Sequence, residues 1–227
     1  SLGIDPFALH NWLNKIVIKK GNFSYNKITN KRISAIVPMH TFGHPCKMDE
    51  LKKISKKFNM RIIEDSAEAL GSFYKGKHAG TIGDIGTLSF NGNKTITTGA
   101  GGAIITNNDR VAFQVRHIIS TAKQNHAYEY IHDKIGYNYR MPNLNASIGL
   151  AQFENINKII NSKRKLYQKY NKLFSNIDEI DLFKEPRYCK SNYWLQTIIL
   201  RKQNMKLRND ILKLTNKKNI MTRPVWK

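Results

Sequence analysis

The sequence has 227 residues, of which 41% are hydrophobic, and its 38 Lys and Arg against 16 Asp and Glu give a formal net charge of +22. This length and apolar content allow a buried core and exclude a disordered, collagen-like or low-complexity chain. No apolar run approaches the roughly 20 residues that a membrane helix needs, and the first residues lack the basic and apolar regions of a signal peptide. Two cysteines, Cys46 and Cys189, cannot form a disulfide framework, so a reducing, cytoplasmic environment is expected.

Four short apolar runs in the first part of the chain predict buried strands, at residues 33–39, 60–63, 85–90 and 103–106. A helical pattern that opens at Pro45 follows the first run, and a helix capped by Asp109 follows the fourth. Strands that alternate with helices predict an α/β domain with a largely parallel sheet. The third and fourth runs are too close in sequence for a crossover helix, so the sheet is predicted to be mixed.

The pattern changes around Pro142. Asn143 is predicted to cap a long helix with apolar residues on one side, and a strand-like segment at 194–200 and a helix around 207–214 follow. These elements predict two domains: a larger one over residues 1–142, and a smaller α+β unit over residues 143–227 that begins with the long helix.

The positive charge raises the question of nucleic-acid binding. The basic residues are spread along the whole chain, and Lys52, Lys53, Lys56 and Lys57 fall on the polar side of a helical pattern, which is typical of a solvated face. No helix-turn-helix, zinc-finger or RNA-binding sheet motif is present. We therefore expect no nucleic-acid partner and a positive field that attracts anionic metabolites, with a basic polyanion-binding module as the alternative.

Three polar segments stand where apolar runs end. Asp65 follows the second run, Lys94 follows the third and leads into a loop rich in Thr and Gly, and Arg140 precedes the long helix. A carboxylate at a strand end can meet a ligand, a desolvated lysine can condense with a carbonyl, and a guanidinium can bind anionic oxygens. Each segment also fits an ordinary structural role, as a helix cap, a loop lysine or an ion pair. His40 and His44 do not predict a metal site, because Gly43 and Pro45 interrupt the helix that would align them.

Together, the segments IIEDSAE (62–68), LSFNGNK (88–94) and GYNYRM (136–141) resemble the DegT/DnrJ/EryC1/StrS family of pyridoxal-phosphate sugar aminotransferases. The spacings of 24 residues from Asp65 to Ser89 and of 5 residues from Ser89 to Lys94 are similar to the family's pattern. The stretch from His40 to Pro45 looks closest to the branch that aminates 4-keto sugar nucleotides for bacillosamine or legionaminic acid. The resemblance implies an α/β, aspartate-aminotransferase-like fold (type I), here as a partial large domain and a partial small α+β domain.

The resemblance also implies a role for each matching residue around the cofactor pyridoxal 5′-phosphate. Lys94 would form the Schiff base and then move the proton of the reaction, and Asp65 would hydrogen-bond the protonated ring nitrogen. Ser89 would donate its hydroxyl group to the cofactor phosphate. Glu68 stands near the ring's 3′-oxygen, where the family often has Gln or His, so that a carboxylate there needs protonation or a different partner.

Two further roles concern the segment before the long helix. Asn138 would reach the phosphate of the neighbouring subunit's cofactor, which implies a homodimer with shared active sites, and Arg140 would assist there or bind substrate. Because Lys94 is not replaced by the His of the family's dehydratases, the resemblance implies transamination. The expected reaction moves an amino group from L-glutamate to a nucleotide-linked 4-keto-6-deoxy sugar.

The family's amino-terminal phosphate-binding Gly-Thr turn and its ring-stacking aromatic residue do not occur in this sequence. A helix amino terminus is a natural seat for phosphate. We therefore expect a fragment of a longer enzyme that binds pyridoxal phosphate poorly by itself, with a catalytically inactive remnant as a further alternative.

Overall fold

The computed structural model describes residues 1–226, which fall into two compact units. The first consists of residues 1–165 and 185–195, and the second of residues 166–184 and those from 196 on. This division falls within one helix rather than after residue 142. The boundary between two domains after residue 142, expected from the change in sequence pattern, stays a prediction.

The elements alternate in the first half of the chain and become mainly helical afterwards. The helices are α1 (Pro6–Ile16), α2 (Met48–Lys57), α3 (Asp109–Ile119), α4 (Asn143–Glu154), α5 (Ile156–Phe174) and α6 (Met205–Lys217), with a 3-10 turn at Thr41–Gly43. The strands are β1 (Val17–Lys20), β2 (Phe23–Asn26), β3 (Ala35–Ile36), β4 (Arg61–Asp65), β5 (Phe73–Tyr74), β6 (Lys77–His78), β7 (Ile85–Ser89), β8 (Gly102–Ile105), β9 (Ile180–Leu182), β10 (Cys189–Lys190) and β11 (Ile198–Leu200). No helix among the described residues is both long and apolar enough to cross a membrane.

The first unit is built around a four-stranded sheet in the order β3-β4-β7-β8. The first three strands run parallel and β8 runs antiparallel to β7, so the predicted α/β class and the predicted mixed sheet are confirmed. Asp65 lies opposite Thr87, and Ser89 lies opposite Gly102. Gly86 allows β7 to pass the neighbouring loop, because a Cβ atom there would overlap the carbonyl oxygen of Gly80.

Helix α2 joins two apolar clusters of this unit, because its apolar residues are spaced so that they fall on one side of the helix. One cluster contains Cys46, Met48, Leu51, Ile62, Tyr74 and Ile82. The other contains Leu13, Ile36, Ile54, Phe58 and Met60. Strand β4 contributes Ile62 to the first cluster, so the packing of α2 fixes the strand whose end carries Asp65.

Three predicted helix starts were wrong by one to three residues. Helix α2 begins at Met48 rather than Pro45, because the 3-10 turn and an extended His44 come first. The cap of α3 is Asn108, whose side chain accepts a hydrogen bond from the backbone N–H of Val111, and Asp109 is the first helical residue. Asn143 is likewise the first residue of α4 rather than its cap.

The predicted long helix consists of two helices, since α4 ends at Glu154 and α5 begins at Ile156. The backbone of Asn155 lies at φ −99° and ψ 7°, outside helical geometry. The predicted strand at 194–200 shortens to β11, because Trp194 and Leu195 form a bend of the first unit and only the last three residues pair with β9.

The second unit contains the end of α5, the antiparallel pair β9 and β11, and α6. Asn204 caps α6 by accepting a hydrogen bond from the backbone N–H of Leu207. The first unit also contains the hairpin of β1 and β2 and the small sheet in the order β10-β5-β6.

Candidate active site

The candidate site lies at the carboxyl edge of the parallel strands. Asp65 is the last residue of β4 and Ser89 is the last residue of β7. The carboxyl ends of neighbouring parallel strands meet at one edge of a sheet, which is where ligands of open α/β sheets bind. Lys94 follows β7 after a turn in which its backbone N–H donates to the carbonyl of Asn91 at 3.0 Å. Sheet topology therefore places these three residues in one region of the first unit.

The amine of Lys94 lies between a carboxylate and an aromatic ring. Its Nζ is 3.9 Å from Oε1 of Glu68 and 4.5 Å from the ring centre of Trp194. The lysine side chain is only 14% exposed. A long, flexible side chain is thus confined at the sheet edge.

Glu68 is buried, and its Oε2 accepts a hydrogen bond from the backbone N–H of Phe42 at 2.6 Å. Burial raises the pKa of this carboxyl group, and the charge of Asp65 raises it further, while the Phe42 N–H and Lys94 act in the opposite direction. In this structure, the partners of the Glu68 carboxylate are therefore the Phe42 N–H and the Lys94 amine. The charges of Asp65 and Lys94 are thus both close enough to affect the ionisation of Glu68.

Asp65 is held by its own backbone. Its N–H donates to the carbonyl of Pro38 at 2.9 Å, and its carbonyl accepts from the N–H of His40 at 3.0 Å. Its Oδ1 accepts a hydrogen bond from the N–H of Ala67 at 3.1 Å. These contacts fix the strand end, so that the carboxylate is presented from a rigid element.

The preceding residue, Glu64, is fully buried and accepts several hydrogen bonds. Its donors are Nε2 of His40 at 2.9 Å and the backbone N–H groups of Gly80 at 2.8 Å, Ile82 at 2.6 Å and Gly83 at 2.5 Å. Burial opposes ionisation, but the hydrogen bonds from His40 and the backbone hold the pKa of Glu64 below its ordinary value.

His40 and His44 both have hydrogen-bonding partners within the protein. Nδ1 of His40 accepts from the backbone N–H of Cys46 at 3.0 Å, so Nε2 carries the proton that is donated to Glu64. Nδ1 of His44 lies 2.9 Å from Oγ of Ser191. Within residues 1–226, no group of three or more His, Cys, Asp and Glu is arranged to hold a metal ion.

Sequence reasoning missed several residues that support the site. Gln152 of α4 pairs with Thr97 in the loop after Lys94, with Oε1 accepting from the N–H at 3.1 Å and Nε2 donating to the carbonyl at 2.8 Å. Trp194 and Asn192 contact the segment around Lys94 from another part of the chain. The one feature of the sequence that could have pointed to these residues is Trp194, because tryptophan is usually buried and its indole N–H then needs a hydrogen-bond acceptor.

The structure does not bring Asn138 and Arg140 into this cluster. Both are exposed, Asn138 pairs with Ser120 across an isolated bridge, and Arg140 lines a groove of about 1080 Å³ beside β8 together with Arg116. Among the described contacts, none joins either residue to Lys94. Their roles at the phosphate of a neighbouring subunit and at the substrate stay predictions.

The side chains at the sheet edge fit pyridoxal phosphate by their chemistry. The site offers a confined primary amine, a carboxylate from the adjacent strand and the half-buried hydroxyl group of Ser89. An aldehyde, a ring nitrogen and a phosphate need groups of these kinds. The assignment of Lys94, Asp65, Glu68 and Ser89 to particular cofactor atoms stays a prediction.

The fold is that of the fold type I aminotransferases. Residues 22–227 match the DegT/DnrJ/EryC1/StrS aminotransferase family, and the chain belongs to this family. The predicted family, the predicted fold class and pyridoxal phosphate as the family's cofactor are thereby confirmed.

Several known proteins are similar to the chain. It is 43% identical over 202 residues to the GDP-perosamine synthase of Escherichia coli O157:H7, covering 88% of this chain and 53% of that protein. It is 30% identical over 169 residues to the UDP-4-amino-4,6-dideoxy-N-acetyl-beta-L-altrosamine transaminase of Campylobacter jejuni (serotype O:23/36, strain 81-176), covering 74% and 45%. The solved structure of Helicobacter pylori PseC, an aminotransferase involved in the biosynthesis of pseudoaminic acid, has the same fold with a TM-score of 0.86 at 23% identity, covering 99% and 57%. The chain thus spans about half the length of these relatives.

Proposed function

We propose that this protein is a pyridoxal-phosphate-dependent aminotransferase that transfers an amino group from L-glutamate to a nucleotide-linked 4-keto-6-deoxy sugar. The observation that carries the proposal is the position of the Lys94 amine, 3.9 Å from Glu68 at the sheet edge that ends in Asp65. A lysine confined beside a carboxylate-bearing strand end is suited to covalent chemistry with a carbonyl.

Each residue has a defined task in this reaction. Lys94 holds the cofactor and afterwards carries the proton that moves between the substrate carbon and the cofactor. Asp65 keeps the ring nitrogen protonated, Ser89 donates its hydroxyl group to the phosphate, and Glu68 orients the lysine amine. When bound, pyridoxal phosphate supplies an aldehyde carbon for the amine and a ring that accepts electrons.

The nature of the substrate is supported by the relatives and by charge. The names of the similar proteins refer to a GDP-linked and a UDP-linked sugar. A net charge of +22 attracts the diphosphate of such a substrate, and the exposed guanidinium of Arg140 is suited to bind it. We further propose a cytoplasmic homodimer in which Asn138 completes the partner's phosphate site, acting in amino-sugar biosynthesis for surface polysaccharides or glycans.

The test uses the intact protein with pyridoxal phosphate, L-glutamate and GDP- or UDP-linked 4-keto-6-deoxy sugars. The expected products are an amino sugar nucleotide, identified by its mass, and 2-oxoglutarate. Lys94→Ala should abolish both transfer and the borohydride-trapped attachment of cofactor, whereas Lys77→Ala, at an exposed lysine of β6, should change neither.

Three results would contradict the proposal. One is transfer to no keto sugar nucleotide by a protein that attaches the cofactor normally. Another is binding of nucleic acid that falls steeply with salt and is indifferent to Lys94, which would favour the basic polyanion-binding module. The third is failure of the folded intact protein to bind the cofactor, which would favour the inactive remnant.

A further inference from the structure

Trp194 is almost fully buried beside Lys94. Its indole Nε1–H donates a hydrogen bond to the carbonyl of Asn93 at 2.8 Å, and its ring centre lies 4.5 Å from Nζ of Lys94. The same side chain therefore holds the residue before the lysine and covers the lysine amine with its aromatic face. A cation over an indole face at this distance is attracted by the ring.

Asn192 is completely buried and contacts Thr95, the residue that follows the lysine. Its Nδ2 donates to the carbonyls of Glu68 at 2.8 Å and Leu70 at 2.9 Å, and lies 3.2 Å from Oγ1 of Thr95. Its Oδ1 accepts from the backbone N–H of Trp194 at 2.9 Å. A buried amide with this many partners holds its neighbours in one arrangement.

The two side chains hold the residues on either side of Lys94. Trp194 holds Asn93, Asn192 contacts Thr95, and the residue between them is the lysine. Asn192 also holds the turn that carries Glu68. One short segment, residues 192–194, thus fixes both the lysine and the carboxylate whose atoms are 3.9 Å apart.

This segment is itself firmly anchored within the first unit. The carbonyl of Ser191 accepts from the guanidinium of Arg164 at 2.6 Å, and its Oγ donates to the carbonyl of Gly43 at 2.5 Å. Arg164 also forms a bidentate ion pair with Glu185, with Nη1 donating to Oε2 at 2.8 Å and Nη2 donating to Oε1 at 2.7 Å. Such a pair resists displacement, so the segment can act as a rigid support.

We propose that Trp194 and Asn192 are positioning residues that hold the Lys94 amine in the direction required for reaction. The inference rests on the proposed function, because it takes Lys94 as the reacting amine. The lysine side chain is a flexible stem of four carbons, so an amine without this support samples many directions. A misplacement of about 1 Å can lower a reaction rate by about 100-fold.

The experiment compares Trp194→Phe, Trp194→Leu and Asn192→Asp in the intact protein. Trp194→Phe keeps an aromatic face and loses the hydrogen bond to Asn93, whereas Trp194→Leu loses both. Matched controls are Trp12→Phe, at a half-exposed tryptophan of α1, and Asn161→Asp, at an exposed asparagine of α5.

The first readout needs no cofactor. An amine-acylating reagent labels the cofactor-free protein, and peptide mapping gives the labelling rate of Lys94 relative to Lys77. Loss of the covering ring in Trp194→Leu should raise this relative rate roughly fivefold to tenfold. Loss of the hydrogen bond alone in Trp194→Phe should raise it about threefold, and the controls should leave it unchanged.

The second readout uses pyridoxal phosphate and the sugar substrate. The fraction of bound cofactor that borohydride fixes on Lys94 should be lower in Trp194→Phe than in the native protein, and lower still in Trp194→Leu. The turnover number should fall about tenfold in Trp194→Leu, with an unchanged KM for the sugar nucleotide. Asn192→Asp should behave like Trp194→Leu, because a carboxylate cannot donate to the two carbonyls.

Unchanged labelling and unchanged trapping in folded Trp194→Leu would overturn the inference. If that variant does not fold, Trp194→Phe and Asn192→Asp decide by the same criterion. Cofactor that is still trapped in Lys94→Ala would instead refute the proposed function, and the labelling rates would then still show whether Trp194 orients the amine.

Discussion

Nε2 of His40 donates a hydrogen bond to Oε2 of Glu64 over 2.9 Å, and both side chains are fully buried. The pair ties the loop after β3 to the end of β4, one residue before Asp65. Three backbone N–H groups complete the carboxylate's shell. An ionised group in such a site is stable only because its donors are already in place.

Replacement of Glu64 by Gln should lower the free energy of unfolding by about 2–4 kcal/mol, because an amide NH₂ would face two donors in a buried site. Urea denaturation at pH 7 measures the loss. Glu129→Gln, at an exposed carboxylate, serves as the matched control and should cost less than about 0.5 kcal/mol. An equal effect of the two substitutions would contradict the role of the buried shell.

The same group should make the protein sensitive to acid. The pKa of Glu64 is lowered in the folded state. Its contribution to the free energy of unfolding is therefore fully present above the ordinary pKa of 4.5 and is lost as pH falls through the lowered pKa. The unfolding free energy of the native protein should therefore decrease below pH 4.5, and Glu64→Gln should remove this part of the decrease. Denaturation curves at a series of pH values test the expectation.

His44 should produce a second pH dependence at higher pH. Burial lowers its pKa to about 4 from an ordinary value of 6.5, so the unfolded chain binds a proton before the folded protein does. The free energy of unfolding should fall by about 3 kcal/mol as pH decreases from 6.5 to 4. His44→Asn should remove this dependence of the free energy of unfolding on pH, whereas His126→Asn, at an exposed position, should leave it unchanged.

Glu68→Gln should separate activity from stability. Burial raises the pKa of Glu68, so the folded protein loses stability as pH rises from the ordinary value to the raised one, and a neutral amide avoids this loss. At pH 7 the Tm should therefore be unchanged or higher, since Gln can still accept from the Phe42 N–H. Turnover should fall about tenfold, because the charge beside Lys94 is lost. A parallel fall of Tm and turnover would show that the carboxylate is merely structural.

Gln152→Ala should loosen the loop that follows Lys94. Its two hydrogen bonds to the backbone of Thr97 would be lost, which should lower the free energy of unfolding by about 1–2 kcal/mol. Local hydrogen exchange at Thr97 and Thr98 should increase. Gln168→Ala, at an exposed glutamine of α5, is the control, and equal exchange in the two variants would refute the assignment.

Local chemistry explains why the sheet was predictable and the helix starts were not. The apolar runs that became β4, β7 and β8 are continuous and short, and the short link between the last two leaves an antiparallel pairing as the simple solution. The start of α2 depended on the 3-10 turn at Thr41–Gly43, where Phe42 takes a left-handed conformation with φ of 55°. That conformation is supported by contacts from distant residues, among them the Glu68 carboxylate.

By itself, the sequence determined the α/β class from the order of its apolar runs. Through motifs that resemble one family, it also determined the family and the candidate residues Asp65, Ser89 and Lys94, because these motifs are local in the chain. Only the tertiary structure decided that Lys94 faces Glu68 and Trp194 and that Arg140 lies in a separate groove. It also decided that Asn192 contacts both the turn of Glu68 and the residue after Lys94. These relationships join residues far apart in sequence, and they arise from packing and from the need of buried polar groups for partners, which no spacing along one segment encodes.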